Sequence, residues 1–347
     1  MKDERRARLE ALLESARTLA DSTSARGEDA RARLARSSGL SPEGIDFALA
    51  RCLELAPSEP EISALFAVTP SSARAHVLLS ANVFVAAHRA IALGLASSSN
   101  VCVRASRREP EMAELLLEGA PGLFQLVAEL APEPGEHVWA YGSDATLREI
   151  ASKLPPSVAL HAHGTGFGIG VIGNEPSAAL EHTLERLAED VALFDQRGCL
   201  SPRILCVLGD GAHARDIAAR LAAALEKIEK RVPRGRLISE ELAEISAYRD
   251  STSYAGELFS AGSAFVSCGE GLVLPPSGRN LHVVPTTNPL SALGAAAQFV
   301  TTYALASVSA DLRAELARAL PGARACDFGR MQRPPFDGPV DRRVRTF

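Results

Sequence analysis

The stretch Phe194-Asp195-Gln196-Arg197-Gly198-Cys199-Leu200-Ser201-Pro202-Arg203 is entered from a helical run, Leu184 to Leu193, and left through an apolar run, Ile204 to Leu208. That arrangement predicts a short loop between helix and strand with Cys199 at its head. Gly198 beside it lets another group approach the backbone closely. A cysteine in such a loop can be exposed and activated, which one buried mid-strand cannot. Cys199 is therefore the candidate nucleophile, able to form a thioester with a carbonyl substrate.

Working outward, the flanks alternate strands with helices. On the N-terminal side, His76-Val77-Leu78-Leu79 reads as a strand, Ser80-Ala81-Asn82 as a turn and Val83 to Leu95 as a helix. After the Ser-Asn break at 97–100, Val101 to Arg104 is a second strand and Glu109 to Glu118 a helix. His137 to Ala140 is a third strand, and Tyr141-Gly142-Ser143-Asp144 opens a helix to Lys153. Residues 158–172, with Gly164, Gly166, Gly168 and Gly170, read as one glycine-rich strand. Its backbone either lies against a ligand or the nucleophile loop, or passes beneath large neighbours. On the C-terminal side, a helix over 212–228, strands at 264–268, 280–285, 301–306 and 323–327, and helices over 289–298 and 310–320 continue the rhythm, with 232–280 otherwise irregular. Strands alternating with helices predict parallel sheets covered on both faces. Residues 1 to about 56 read as helices forming a lid or packing element, with Ser41-Pro42 a start signal and Pro57 to Pro60 a linker.

Bulk composition narrows the function class. The 347 residues are 46% apolar and 23% charged, enough for one large domain or two of ordinary size. A net charge of −5 gives no reason to expect nucleic acid or an anionic membrane. The six cysteines show no CxxC pair, hence neither a disulfide framework nor a zinc pattern, and no metal is expected. Cys102 and Cys206 sit in strand-like runs as small core hydrophobes. No run approaches the length of a membrane span and no signal core follows the polar start, so a reduced, cytoplasmic protein is expected.

Three of these stretches, in order, resemble the aldehyde dehydrogenase superfamily: Asn82 through Pro110, the glycine-rich run at 161–172, and Gln196-x-Gly198-Cys199. Within it, Asp195-Gln196-x-Gly198-Cys199-x-Ser201-Pro202 and the ending Gly329-x-x-Gln332-x-Pro334-x-x-Asp337-Gly338 are similar to the LuxC-type acyl-CoA reductases. The resemblance covers roughly residues 75 to 340. It implies an aldehyde dehydrogenase-like α/β fold with two parallel-sheet domains: a helical segment over 1–70, a nicotinamide-binding domain over 71–175 rejoined by about 334–347, and a catalytic domain over 176–333.

The resemblance further implies NADPH-dependent reduction of a fatty acyl-CoA, or acyl-carrier thioester, to the aldehyde through an acyl-Cys199 intermediate. Asn82, which could also cap the following helix, would donate its amide to the oxyanion, with the Cys199 backbone N–H as second donor. Arg104 lies where relatives place a basic residue on the cofactor ribose. With Ser106, Arg107 and Arg108 it makes a cluster suited to a 2′-phosphate, which favours NADPH over NADH. Gly142 and Ser143 would face the pyrophosphate. Gln196, Gly198, His163 and Gly164 would support substrate and loop. Hydrolytic relatives carry a glutamate in the 160s stretch to activate water; here His161, Ala162 and His163 stand there with no carboxylate, which favours a reductase. A homodimer and an acyl-transferring partner protein are expected by the same analogy. The alternatives are reduction of an acyl phosphate to a semialdehyde, a cysteine acyltransferase that uses no hydride, and a non-catalytic scaffold retaining the fold.

Overall fold

The structure, a computed structural model, describes residues 2–174 and 176–343. It divides into two compact units: residues 2–165 with Pro335–Val340, and Gly166–Pro334 with residues 341–343. The division falls upstream of the expected boundary near 175, because the glycine-rich run is two strands and not one. Ala159–His163 ends the first unit's sheet and Phe167–Ile172 begins the second's. Alternating glycines look like a single extended strand, but Gly164-Thr165-Gly166 is where the chain changes sheets.

In the first unit, four helices precede the sheet: α1 (Lys2–Ala20), α2 (Ala25–Ser38), α3 (Pro42–Cys52) and α4 (Glu59–Val68). Serine caps start three of them: Ser24 on α2, Ser41 on α3 ahead of Pro42, and Ser58 on α4 in a reciprocal capping box with Glu61. Half of the expected 57–60 linker is thus the first turn of α4. The segment acts as a packing element, with α1 seated on α5 (Ala86–Ser97) and α6 (Glu111–Gly119).

The strands β1 (Ala75–Leu78), β2 (Val101–Arg104), β3 (Gln125–Leu126), β4 (His137–Tyr141) and β5 (Ala159–His163) form a parallel sheet in the order β3-β2-β1-β4-β5, and α7 (Asp144–Lys153) follows β4. The order reverses direction between β1 and β4, the switch point beside which open parallel sheets bind nucleotides. The carboxyl end of β1 leads to Asn82, that of β4 to Gly142 and Ser143, and Arg104 closes β2.

The second unit carries β6 (Phe167–Ile172), β7 (Pro202–Leu208), β8 (Glu257–Ala261), β9 (Ala264–Cys268), β10 (Leu281–Thr286), β11 (Val300–Ala306) and β12 (Arg324–Cys326) in the order β12-β11-β6-β7-β10-β9-β8. Every pairing is parallel except the β8–β9 hairpin. The helices are α8 (Ser177–Ala192), α9 (Gly211–Arg231), α10 (Ser239–Ala255), α11 (Pro289–Leu293) and α12 (Ala310–Ala319). Ile169, Val171, Ile204, Cys206 and Val284 fill one face of the sheet. Burial pushes the Cys206 thiol up to about 12, as suits a core hydrophobe.

Two elements differ from expectation. The 232–280 stretch contains α10 and β8. Helix α10 is polar around much of its girth and is held by few buried side chains, among them Ile245 and Tyr248, so its periodicity is faint. The expected helix over 289–298 is α-helical only to Leu293 and tightens into 3₁₀ turns through Phe299.

Candidate active site

Helix α8 delivers the cysteine stretch through an arch with no glycine in it. Phe194, Asp195 and Gln196 adopt φ of 55°, 48° and 64°, three successive L-residues in the left-handed region. Each costs about 1–2 kcal/mol relative to a right-handed conformer. Such an arch persists only where its surroundings over-determine it.

The surroundings do so here. Asp195 is fully buried, and its Oδ1 accepts Arg279 Nε at 2.9 Å and Nη2 at 2.7 Å. Its Oδ2 accepts the Gly235 N–H at 3.0 Å, and its backbone carbonyl accepts the Gly278 N–H at 3.0 Å. The buried Gln196 amide accepts the Asn280 N–H at 2.8 Å and donates to the carbonyls of Asn280 and Pro202, both at 2.6 Å. Arg197 forks onto Glu241 of α10 at 2.7 and 3.1 Å.

Beyond the arch, the Ser201 N–H closes a turn on the Gly198 carbonyl at 3.1 Å, with Cys199 in its second position. Cys199 is half-buried, forms no disulfide, and its carbonyl accepts the Thr301 hydroxyl. The turn rests on β6, where the Gly168 N–H donates to the Ser201 carbonyl at 2.8 Å. A Cβ at Gly168 would stand 2.6 Å from the Leu200 carbonyl oxygen. The second half of the glycine-rich run therefore lies against the nucleophile loop, one of its two expected roles.

The ending phrase meets the cysteine phrase directly. Gln332 Nε2 donates to Ser201 Oγ at 2.7 Å, and the N–H groups of Gly329 and Met331 converge on the Asp190 carboxyl of α8. Burial pushes that carboxyl up to about 8.

The other sequence candidates lie in the first unit. Asn82 is exposed and its Oδ1 accepts Arg108 Nη2 at 2.8 Å. It caps no helix: α5 begins after Val85, with no side-chain cap. The bond to Arg108 turns the donor end of the amide away from that arginine. Arg104 is half-buried at the end of β2, Ser106 Oγ accepts the Arg108 N–H at 3.3 Å, and Arg107 is exposed. The Ser143 hydroxyl accepts the Thr146 N–H at 3.2 Å as cap of α7, and the Gly142 N–H donates to the His163 carbonyl at 3.2 Å. His163 is buried and stacks on Tyr141 at 4.4 Å, with Gly164 buried after it. His161 stacks on Trp139 at 4.6 Å and is hydrogen-bonded to His137 at 2.9 Å; burial holds it down to about 4. These histidines face neighbours within the first sheet.

Cys199, Gln196 and Gly198 come together in the second unit, while Asn82, Arg104, Ser106, Arg107, Arg108, Gly142, Ser143, His163 and Gly164 belong to the first. Among the described residues, no group of three or more His, Cys, Asp or Glu side chains could hold a metal ion. Nor is any helix long and apolar enough to cross a membrane. Sequence reasoning missed Arg279, Asn280, Thr301 and Asp190. The only local signal was the turn-forming Pro-Pro-Ser-Gly run before Arg279.

The fold agrees with solved structures. An oxidoreductase from Marinobacter aquaeolei aligns over 94% of this chain and 78% of its own, with a TM-score of 0.67 at 14% identity. A methylmalonate-semialdehyde dehydrogenase from Oceanimonas doudoroffii aligns over 95% and 78%, with a TM-score of 0.69 at 12% identity. An NADP-dependent glyceraldehyde-3-phosphate dehydrogenase from Bacillus halodurans aligns over 92% and 78%, with a TM-score of 0.62 at 13% identity. At such identities the likeness shows the aldehyde dehydrogenase fold alone. No curated protein matches the sequence. The family model for acyl-CoA reductase (LuxC) matches residues 125–340, more than half of the chain, and takes in both the cysteine phrase and the ending phrase that the structure joins at Ser201 and Gln332. The chain thus belongs to the LuxC acyl-CoA reductase family, oxidoreductases acting on the acyl or aldehyde group.

Proposed function

We propose that this chain reduces a fatty acyl-CoA, or an acyl-carrier thioester, to the aldehyde with NADPH through an acyl thioester on Cys199. The observation that carries the reading is Cys199 at the head of a braced turn, inside the region matched to acyl-CoA reductases. The Cys199 thiolate attacks the thioester carbonyl, the S-acyl bond to the carrier breaks, and the carrier thiolate leaves. Asn82 is assigned to the oxyanion through its amide N–H. Collapse of the reduced adduct breaks the bond to Sγ, releases the aldehyde and returns the thiolate.

The first unit is assigned to the cofactor and the second to the cysteine. The sheet order supports this, since the carboxyl ends of β1 and β4 flank the switch point and carry Asn82, Gly142 and Ser143. Arg104 and Arg107 would hold a 2′-phosphate, while Arg108 is already engaged with Asn82. Bound there, the nicotinamide supplies a hydride. Similar structures include dehydrogenases solved with NAD and with NADP, and the arginines are our reason for preferring NADPH. The lack of a carboxylate in 158–172 supports a thioester that outlives water. A cytoplasmic homodimer served by an acyl-transferring partner completes the proposal.

Intact-mass spectrometry tests it. Wild type mixed with a long-chain acyl-CoA is expected to gain one acyl mass, Cys199→Ala to gain none, and NADPH to discharge the adduct with aldehyde release. An adduct that NADPH leaves in place would mean acyl transfer; no adduct with any chain length would refute the acyl-CoA reading.

A further inference from the structure

We infer that Arg279 is a positioning residue: with Gly278 and Asn280 it forms a mould that holds the left-handed arch and so aims Cys199. The inference rests on Cys199 being the nucleophile. It goes beyond that reading by assigning the aim of the thiol to a loop far away in sequence.

The argument begins with the strain. Phe, Asp and Gln have no intrinsic reason to string three left-handed conformers together, and unsupported the arch would relax to right-handed or extended backbone. The loop facing them is strained at Arg279, with φ 73°, while Gly278 before it takes φ 94° freely as a glycine. The two segments interlock at four points. The Gly278 N–H reaches the Asp195 carbonyl, the Arg279 guanidinium the Asp195 carboxylate, and the Gln196 amide pairs with both the N–H and the carbonyl of Asn280.

Arg279 is also saturated. Beyond Asp195, its Nη1 donates to Glu229 at 2.7 Å and to the Val232 carbonyl at 2.6 Å, and its Nη2 to the Pro233 carbonyl at 3.3 Å. All three guanidinium nitrogens are used, in a planar fork that an ammonium group cannot imitate. The guanidinium thereby anchors the arch to the end of α9, a rigid element. Gln196 lies at one end of this clamp, and the Gly198–Ser201 turn that carries Cys199 starts two residues later.

A mould of this kind affects the thiol's reactivity before any substrate binds. The test is therefore alkylation of Cys199 by iodoacetamide, followed on the Cys199 peptide because the chain has six cysteines. Arg279→Lys keeps the charge and loses the fork. It is expected to slow alkylation at least tenfold at neutral pH, to shift the pH midpoint of alkylation, and to lower kcat for acyl-CoA more than it raises KM. Leu316→Ala, a buried core position on α12 remote in sequence from the loop, serves as the control for lost stability alone. It is expected to lower the melting temperature and leave the alkylation profile unchanged.

If Arg279→Lys does not fold, Gln196→Met takes its place, since it removes the amide clamp without stranding a buried charge. An alkylation rate and pH midpoint equal to wild type in the folded variant would overturn the inference and leave the ion pair merely structural. Because alkylation needs no acyl-CoA, a wild type that never acylates would refute the proposed reaction while leaving this measurement interpretable.

Discussion

Replacing Gly168 by alanine tests whether strand β6 sets the height of the cysteine turn. The added Cβ would stand 2.6 Å from the Leu200 carbonyl oxygen, 2.6 Å from Met331 Cε and 3.0 Å from Thr302 Cγ2. The Met331 methyl can swing aside, but the Leu200 carbonyl is backbone. It is pinned on both sides, by the Gly168 N–H on the Ser201 carbonyl and the Thr301 hydroxyl on the Cys199 carbonyl. Reaching an ordinary contact of about 3.5 Å requires the turn to retreat by roughly 0.9 Å. Overpacking of this size costs about 1–3 kcal/mol, a fall in melting temperature of roughly 2–12 °C. A displacement near 1 Å of a reacting group costs about 10²-fold in rate. Gly168→Ala is therefore expected to fold, melt lower, and acylate on Cys199 between about ten and one hundred times more slowly in single-turnover mass spectrometry. Gly170→Ala is the internal control. Its Cβ would meet side chains, Leu205 Cδ1 and Phe328 Cε1 both at 2.8 Å, so stability falls while acylation stays near wild type. A Gly168→Ala variant that acylates at the wild-type rate would refute the steric coupling between strand and turn.

Asn82→Ala is expected to slow acylation by about 10²–10³ with stability nearly unchanged, because it removes the proposed oxyanion donor from an exposed position; a wild-type single-turnover rate would remove Asn82 from the proposed site. The buried His88 of α5, tilted against Phe336 at 5.5 Å beside Arg89, is held down to about 3 by burial and by that arginine. Its folded value lies below the unfolded 6.5, so the unfolded chain binds the proton first and stability falls as pH drops through 6.5 toward 3. Between pH 7 and pH 5 this histidine's contribution falls by about 2 kcal/mol. Because Asp190 and His161 titrate in both proteins, the check is the difference between wild type and His88→Phe in the pH 7 to pH 5 change of urea-melt stability, which should be of that size.

Much of the fold was legible because it repeats. Alternating apolar strands and amphipathic helices predict parallel sheets, and Ser41-Pro42 predicts a helix start that the structure reproduces. The site was legible only where its chemistry sits in one phrase. Cys199 stood out by its neighbours, but the arch before it could not. Left-handed backbone is read from glycine, and Phe194, Asp195 and Gln196 are not glycine. Their conformation is imposed by Arg279 and Asn280, 84 residues further on, and no local rule carries that distance. The same limit hid Thr301 beneath the Cys199 carbonyl and split the glycine-rich run between two sheets. Within Asp195-Gln196-x-Gly198-Cys199-x-Ser201, only the cysteine is assigned to the chemistry. Asp195, Gln196 and Ser201 are buried and spend their polar atoms on Arg279, Asn280 and Gln332. A phrase that marks a nucleophile thus encodes mostly the strain behind it and the contacts that hold that strain. Substitutions at Arg279 or Gln332, outside the phrase, should therefore disturb the cysteine as surely as substitutions within it.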